Sequence, residues 1–120
     1  RKYLYFFPQA LDVDAMRRAA ALLCGTHDYT AFCANRHMKK SAVRTVESIE
    51  IERIGGELRL TLTGDGFLYN MVRIIAGTLI VVGSGKRSAE EMPDILACLD
   101  RGRAGFTAPP QGLFLWNVEY

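Results

Sequence analysis

Glu57-Leu58-Arg59-Leu60-Thr61-Leu62-Thr63 (residues 57–63) is followed four residues later by an apolar run from Phe67 to Gly83, and the change of period between the two decides the fold. Leu58, Leu60 and Leu62 alternate with Glu57, Arg59, Thr61 and Thr63, the period-two pattern of a half-buried strand. Just upstream, Ile49 and Ile51 alternate with Ser48, Glu50 and Glu52, and Gly55-Gly56 lies between the two segments. Glycine tolerates positive φ, so this spacing predicts an antiparallel hairpin.

The run from Phe67 to Gly83 has the length of a marginal membrane span, 17 residues, but it carries Asn70, Arg73 and Gly77. A guanidinium near the middle of such a segment is incompatible with hydrocarbon, so the run reads as a buried helix of a soluble protein. Leu68, Met71, Val72, Ile75, Leu79 and Val82 form its wide apolar face, starting at about Phe67 and ended by Gly83-Ser84-Gly85. Downstream, Ser88-Ala89-Glu90-Glu91 fits a capping box. Pro93 then removes one amide donor and bends or restarts that helix, whose core side is Ile95, Leu96 and Leu99. In the other direction, Asp12 is an N-cap, Leu11 and Met16 stand at the positions of a hydrophobic staple, and Gly25 supplies the stop. Tyr3, Tyr5 and Phe7 alternate as a short strand; residues 101–112 form a loop with Pro109-Pro110, and a last strand runs from Leu113 to Tyr120. The expected order is β-α-β-β-α-α-β: an α+β fold, an antiparallel sheet with helices on one face, in a single domain over residues 1–120.

The 120 residues are 49% hydrophobic and 23% charged, with a net charge of +2, which excludes a disordered chain. Cys24, Cys33 and Cys98 are odd in number and contain no CxxC, and His27 and His37 complete no zinc spacing. Reduced thiols, no metal and a cytoplasmic location are therefore expected. The start has neither an apolar secretory segment nor an initiator Met, so the chain is expected to begin inside a longer protein.

There is no P-loop, no GxSxG and no paired-carboxylate motif. His27 beside Asp28 reads either as a general base or as a loop histidine capping a turn. Arg73 is more informative. A permanent charge in an apolar helix either snorkels to solvent or meets a carboxylate, because burying it unpaired is very costly. Asn70, Arg73 and Gly77 follow at i, i+3 and i+7, on one helical face. Eight of the fifteen basic residues fall in three loops: Arg36, Lys39, Lys40 and Arg44; Lys86 and Arg87; Arg101 and Arg103. They read as phosphate contacts or as a solvated face. Arg44, where a strand begins, has a further option in Glu47 or Glu50.

Asp65-Gly66-Phe67-Leu68-Tyr69-Asn70-Met71-Val72-Arg73-Ile74-Ile75-Ala76-Gly77-Thr78-Leu79, with Val82-Gly83 after it, closely resembles the tRNA pseudouridine synthase A family. Other segments match in order: Leu11-Asp12 with Met16, then Gly25 to Phe32; Val43-Arg44-Thr45-Val46; Asp100-Arg101, Ala104 to Pro109, Gly112 to Leu115, and the Val118-Glu119-Tyr120 ending. The resemblance covers essentially all 120 residues.

It implies an isomerase that converts uridine to pseudouridine at positions 38–40 of the tRNA anticodon stem-loop, without metal or organic cofactor, as a homodimer with no membrane association. The family's nucleophilic Asp lies in a Gly-Arg-Thr-Asp-Ala-Gly-Val-His motif that this sequence lacks. The resemblance is therefore to the C-terminal half, expected to be inactive alone, and neither Tyr3 nor Tyr5 is assigned to catalysis. In the family, the Arg of Met-Val-Arg pairs with that Asp, which makes Arg73 the expected catalytic residue. Leu113 and Leu115 are implied to line the pocket for a flipped uracil, although both also fit the core side of the last strand; Phe67 and Asn70 lie near that pocket. Arg36, Lys39, Lys40 and Arg44 then lean towards tRNA phosphates. The competing reading is a noncatalytic α+β module for RNA binding or dimerisation.

Overall fold

The computed structural model describes residues 2–6, 11–34, 41–55, 57–68, 70–105, 107 and 114–118, with backbone alone at 2–6 and 114–118. In chain order the elements are β1 (Lys2–Phe6), α1 (Val13–Leu23), β2 (Gly25–Asp28), β3 (Val43–Ile54), β4 (Glu57–Gly64), α2 (Met71–Gly83), α3 (Met92–Cys98) and β5 (Phe114–Val118). Short 3-10 turns lie at Thr30–Phe32, Ala89–Glu91 and Arg101–Arg103. Among the described residues the strands form one antiparallel sheet in the order β2-β3-β4-β1-β5.

The hairpin forms as its alternation dictates. Leu58, Leu60 and Leu62 are fully buried in one cluster with Met16 and Leu23 of α1 and Ile75 and Leu79 of α2. Each such leucine contributes about 1.5–3 kcal/mol relative to exposure. Gly55, at the turn, has φ +62. β1 inserts between β4 and β5, so that Leu4 faces Leu60 on one side and Trp116 on the other.

Asp12 caps α1 by accepting a hydrogen bond from Ala15 N at 3.0 Å. Leu11 and Met16 close over Gly83 at the end of α2: a Cβ there would lie 2.7 Å from Met16 Sδ and 3.3 Å from Leu11 Cβ. The staple thus also seats one helix on the other. Arg17 reaches from α1 to the sheet, where Nε and Nη2 donate to Ile51 O at 3.2 and 3.0 Å. β2 pairs only with Val43 to Val46 of β3, so this side chain covers strand edge that β2 leaves open. The capping box forms, Ser88 Oγ accepting from Glu90 N and Glu91 from Ser88 N, and Pro93 occupies the first turn of a restarted helix, α3.

Four expectations need correction. Leu99 is not on the core side of α3 but 47% exposed, as its left-handed C-cap at φ +55. Gly25 does more than stop α1: with φ +109 it turns the chain straight into strand β2, four residues with too little alternation to read in sequence. His27 consequently stands on an edge strand opposite Arg44, not in a turn. β3 is twelve residues long, beginning at Val43, so Arg44 belongs to a strand; a bulge between Val46 and Ser48 interrupts its alternation. Finally, α2 begins at Met71 rather than near Phe67, because Asn70 takes the left-handed conformation, φ +58. Pro109, Pro110 and the ends of the last strand lie outside the described residues.

Candidate active site

The segment carrying Phe67, Asn70 and Arg73 is anchored where it leaves the sheet. Asp65 N donates to Thr45 O at 3.0 Å, and the Asp65 carboxylate accepts from Thr45 N at 2.9 Å. Gly64 is required beside this pair, since a Cβ would approach Thr45 O to 2.5 Å. The Phe67 ring packs over Gly64 and is half-buried. Met71 N then donates to Leu68 O at 3.0 Å, and Ile74 N to Asn70 O at 2.9 Å, starting α2.

Arg73 is the one charged residue of α2, in its first turn, half-exposed on a helix otherwise almost wholly buried. Its Nη1 donates to Asn70 Oδ1 at 3.2 Å. The left-handed backbone at Asn70 and this side-chain bond together set where the guanidinium stands. Asn70 and Arg73 are therefore brought together, with Phe67 on the segment that leads to them.

Arg44 comes to the same segment. Its Nε lies 3.8 Å from the position a Cβ would take on Gly66, while Nη1 donates to Ser41 O and Val43 O, both at 2.8 Å. It makes no ion pair with Glu47 or Glu50. Arg36, Lys39, Lys40 and Leu113 lie outside the described residues. Leu115 is placed by register: it faces Tyr5, which faces Arg59, which faces Glu52. That row alternates with the one through Leu60, so Leu115 is out of register with the leucines buried beneath the helices. Arg59 and Glu52 close the row with an ion pair at 2.9 Å.

His27 is engaged structurally. Its Nε2 lies 2.9 Å from Cys24 O, a bond that needs a proton on that nitrogen, and its ring meets Tyr29 edge-on with centroids 5.7 Å apart. A groove of about 510 Å³ beside it, lined by Leu22, Thr26, His27, Asp28, Pro93 and Leu96 among others, contains none of Phe67, Asn70, Arg73 or Arg44.

A half-buried Arg, its Nη1 held by Asn70, thus stands at the head of a buried helix. The tRNA pseudouridine synthase family profile matches residues 19–120. The chain belongs to that family. Among curated relatives, tRNA pseudouridine synthase A of Brevibacillus brevis is 54% identical over 110 residues, 92% of this chain and 45% of the relative. Its namesake in Halalkalibacterium halodurans is 53% identical over 113 residues, 94% and 43% of the two chains. The Bacillus subtilis enzyme of that name is 49% identical over 120 residues, 100% and 49%. The chain thus spans about half the length of the curated relatives it matches.

Sequence reading missed how this synthase-family fold holds residues 101–105 and Thr107. Arg101 donates to Gly105 O at 2.9 Å and to Thr107 Oγ1 at 3.1 Å, and Arg87 donates to Arg103 O. These guanidiniums brace loops rather than standing out as a solvated face. Gly105 N donates to the buried Thr78 Oγ1 at 2.8 Å. A lone Thr in an apolar helix was the available signal, but no periodicity says what it meets.

Proposed function

We propose that this chain is the C-terminal half of a tRNA pseudouridine synthase A acting on uridines 38–40 of the anticodon stem-loop, with the nucleophilic Asp supplied from outside these 120 residues. The observation that carries the reading is Arg73, fixed by Asn70 at the head of α2 in a chain of this family. A guanidinium offers a planar fork that matches a carboxylate, and its charge keeps that carboxylate ionised and able to attack. The uracil–ribose bond breaks, the base turns, and it rejoins the ribose through carbon; that carbon loses a proton and the released ring nitrogen gains one. The uridine must first leave its stack for a pocket. Leu113, Leu115, Phe67 and Asn70 would border that pocket; the row on which Leu115 falls, out of register with Leu60, supports it. Arg36, Lys39, Lys40 and Arg44 would hold tRNA phosphates. The complete enzyme acts in the cytoplasm as a homodimer, with no cofactor.

The experiment is to incubate the complete synthase, and this chain alone, with unmodified tRNA and to map pseudouridine. The complete protein is expected to modify the anticodon stem-loop and the isolated chain nothing. Turnover by the isolated chain would move the nucleophile back into these 120 residues; no turnover by the complete protein would remove the reading.

A further inference from the structure

Resting on that function, we propose that Thr78 and Arg101 are positioning residues, holding the loop from Arg101 to Gly105 against α2 and so fixing β5 and the uracil pocket relative to Arg73.

Four observations carry the inference. Thr78 is fully buried in α2, five residues beyond Arg73, and its hydroxyl is used twice: it donates to Ile74 O at 2.8 Å and accepts from Gly105 N at 2.8 Å. The contact is too close for any side chain on Gly105, since a Cβ there would lie 2.6 Å from Thr78 Cα and 2.9 Å from Gly77 C. Arg101 then ties the loop to itself through Gly105 O and Thr107 Oγ1, and Asp100 Oδ1 accepts from Gly102 N at 2.9 Å at its base. Seven positions after Thr107 the chain enters β5, which carries Leu115. The helix that carries Arg73 and the loop that precedes β5 are thus joined through one buried hydroxyl and one glycine. Neither Thr78 nor Arg101 needs to touch the substrate.

The test uses the complete synthase and three variants: Thr78→Val, which keeps the shape and loses the acceptor; Thr78→Ser, which keeps the hydroxyl; and Arg101→Gln. Pseudouridine formation at saturating tRNA, tRNA affinity across several salt concentrations and thermal unfolding are read for each. Thr78→Val is expected to slow formation about ten- to a hundredfold, the scale of a small misplacement of reacting groups, with affinity changed less than about twofold. Thr78→Ser is expected to return to within about threefold of the parent rate. Arg101→Gln, on the half-exposed rim of the loop, is expected to slow formation with an unchanged salt slope, and it carries the test if Thr78→Val does not fold.

A folded Thr78→Val at the parent rate would overturn the proposal. So would a Thr78→Ser as slow as Thr78→Val, because the hydroxyl would then not be the cause. An Arg101→Gln that turns over normally at saturation, but whose salt slope flattens by about 0.7–0.9, would make Arg101 a phosphate contact instead. Failure of the parent synthase to form pseudouridine would instead remove the proposed reaction, and the positioning role with it.

Discussion

Asn70 and Arg73 are joined across the first turn of α2 by a 3.2 Å hydrogen bond, and the residue that accepts it is itself in the left-handed conformation. Asn is one of the few side chains that takes this conformation readily, so one residue both turns the chain into the helix and orients the guanidinium. The two roles separate by substitution. Asn70→Gly keeps the backbone and loses the amide, whereas Asn70→Ala loses the amide and strains the backbone. Urea unfolding of the complete synthase should show Asn70→Ala less stable than Asn70→Gly by about 1 kcal/mol. Both variants should lose turnover to a similar extent. Parent-like turnover in either would detach the amide from the reaction.

Arg73 itself should be far more sensitive. Arg73→Ala is expected to lower turnover about a hundredfold or more while tRNA affinity changes little, because a guanidinium paired with the nucleophile acts on chemistry rather than docking. It should also destabilise the complete fold by about 3–5 kcal/mol, the cost of leaving a buried carboxylate unpaired. Arg73→Lys should rescue only part, since an ammonium lacks the planar fork. Single-turnover assays with calorimetric unfolding check both effects. Normal turnover in the Ala variant would return Arg73 to a snorkelling side chain.

Much of this was legible in the order of residues because it rests on local chemistry. The leucines of β4, the Asp12 cap, the staple from Leu11 to Met16 and the restart at Pro93 each depend on neighbours within a few positions. What was not legible is non-local. The insertion of β1 between β4 and β5 is fixed by pairings some fifty residues or more apart. β2 is too short to show a period, and it is held by β3 rather than by its own propensity. The start of α2 was misplaced because Phe67 and Leu68 fit the helical stripe, while the interruption comes from one backbone angle at Asn70. Around the site, spacing brought Asn70 and Arg73 together correctly, yet said nothing of Thr78 meeting Gly105, which lie 27 positions apart.

Tyr29 gives the fold a pH dependence of defined sign. Its ring is fully buried, and its hydroxyl donates to Leu23 O at 2.7 Å and Gly25 O at 3.1 Å, tying the end of α1 to the start of β2. Burial raises its pKa well above the ordinary value of 10.0, and the neighbouring Cys24 and Asp65 add to the rise. Cys24 is raised from 9.0 by its own burial, partly offset by a backbone bond from Ile49. For an acid raised on folding, the native state holds the proton that the unfolded state releases. The contribution is complete below the unfolded pKa and is lost as pH rises towards the folded one. Stability should therefore decline above about pH 9–10, the unfolded values of the two groups. Tyr29→Phe should lose about 1–3 kcal/mol at neutral pH, because two backbone oxygens lose their donor, and should decline less steeply at alkaline pH. Urea unfolding between neutral and alkaline pH decides it; an equally steep decline in the Phe variant would assign the alkaline loss elsewhere.

The cluster of Arg36, Lys39, Lys40 and Arg44 should hold phosphates without choosing the base. Arg44 is partly committed, its Nη1 bonded to Ser41 O and Val43 O, but its Nε lies beside Gly66 on the segment that leads to Arg73. If each of three side chains neutralises one phosphate, the complete synthase with Lys39→Gln, Lys40→Gln and Arg44→Gln should show a plot of log affinity against log salt flattened by roughly two to three units, at about 0.7–0.9 per contact. Affinity should fall alike for every tRNA, and the modified uridine should stay the same, because phosphate contacts place an RNA without reading its sequence. Restoring Arg44 alone should recover about one contact's share of the slope, 0.7–0.9, if its Nε still reaches a phosphate past the backbone bonds. An unchanged slope in the triple variant would make these charges a solvated face, and a changed choice of uridine would give them a part in recognition that charge alone does not supply.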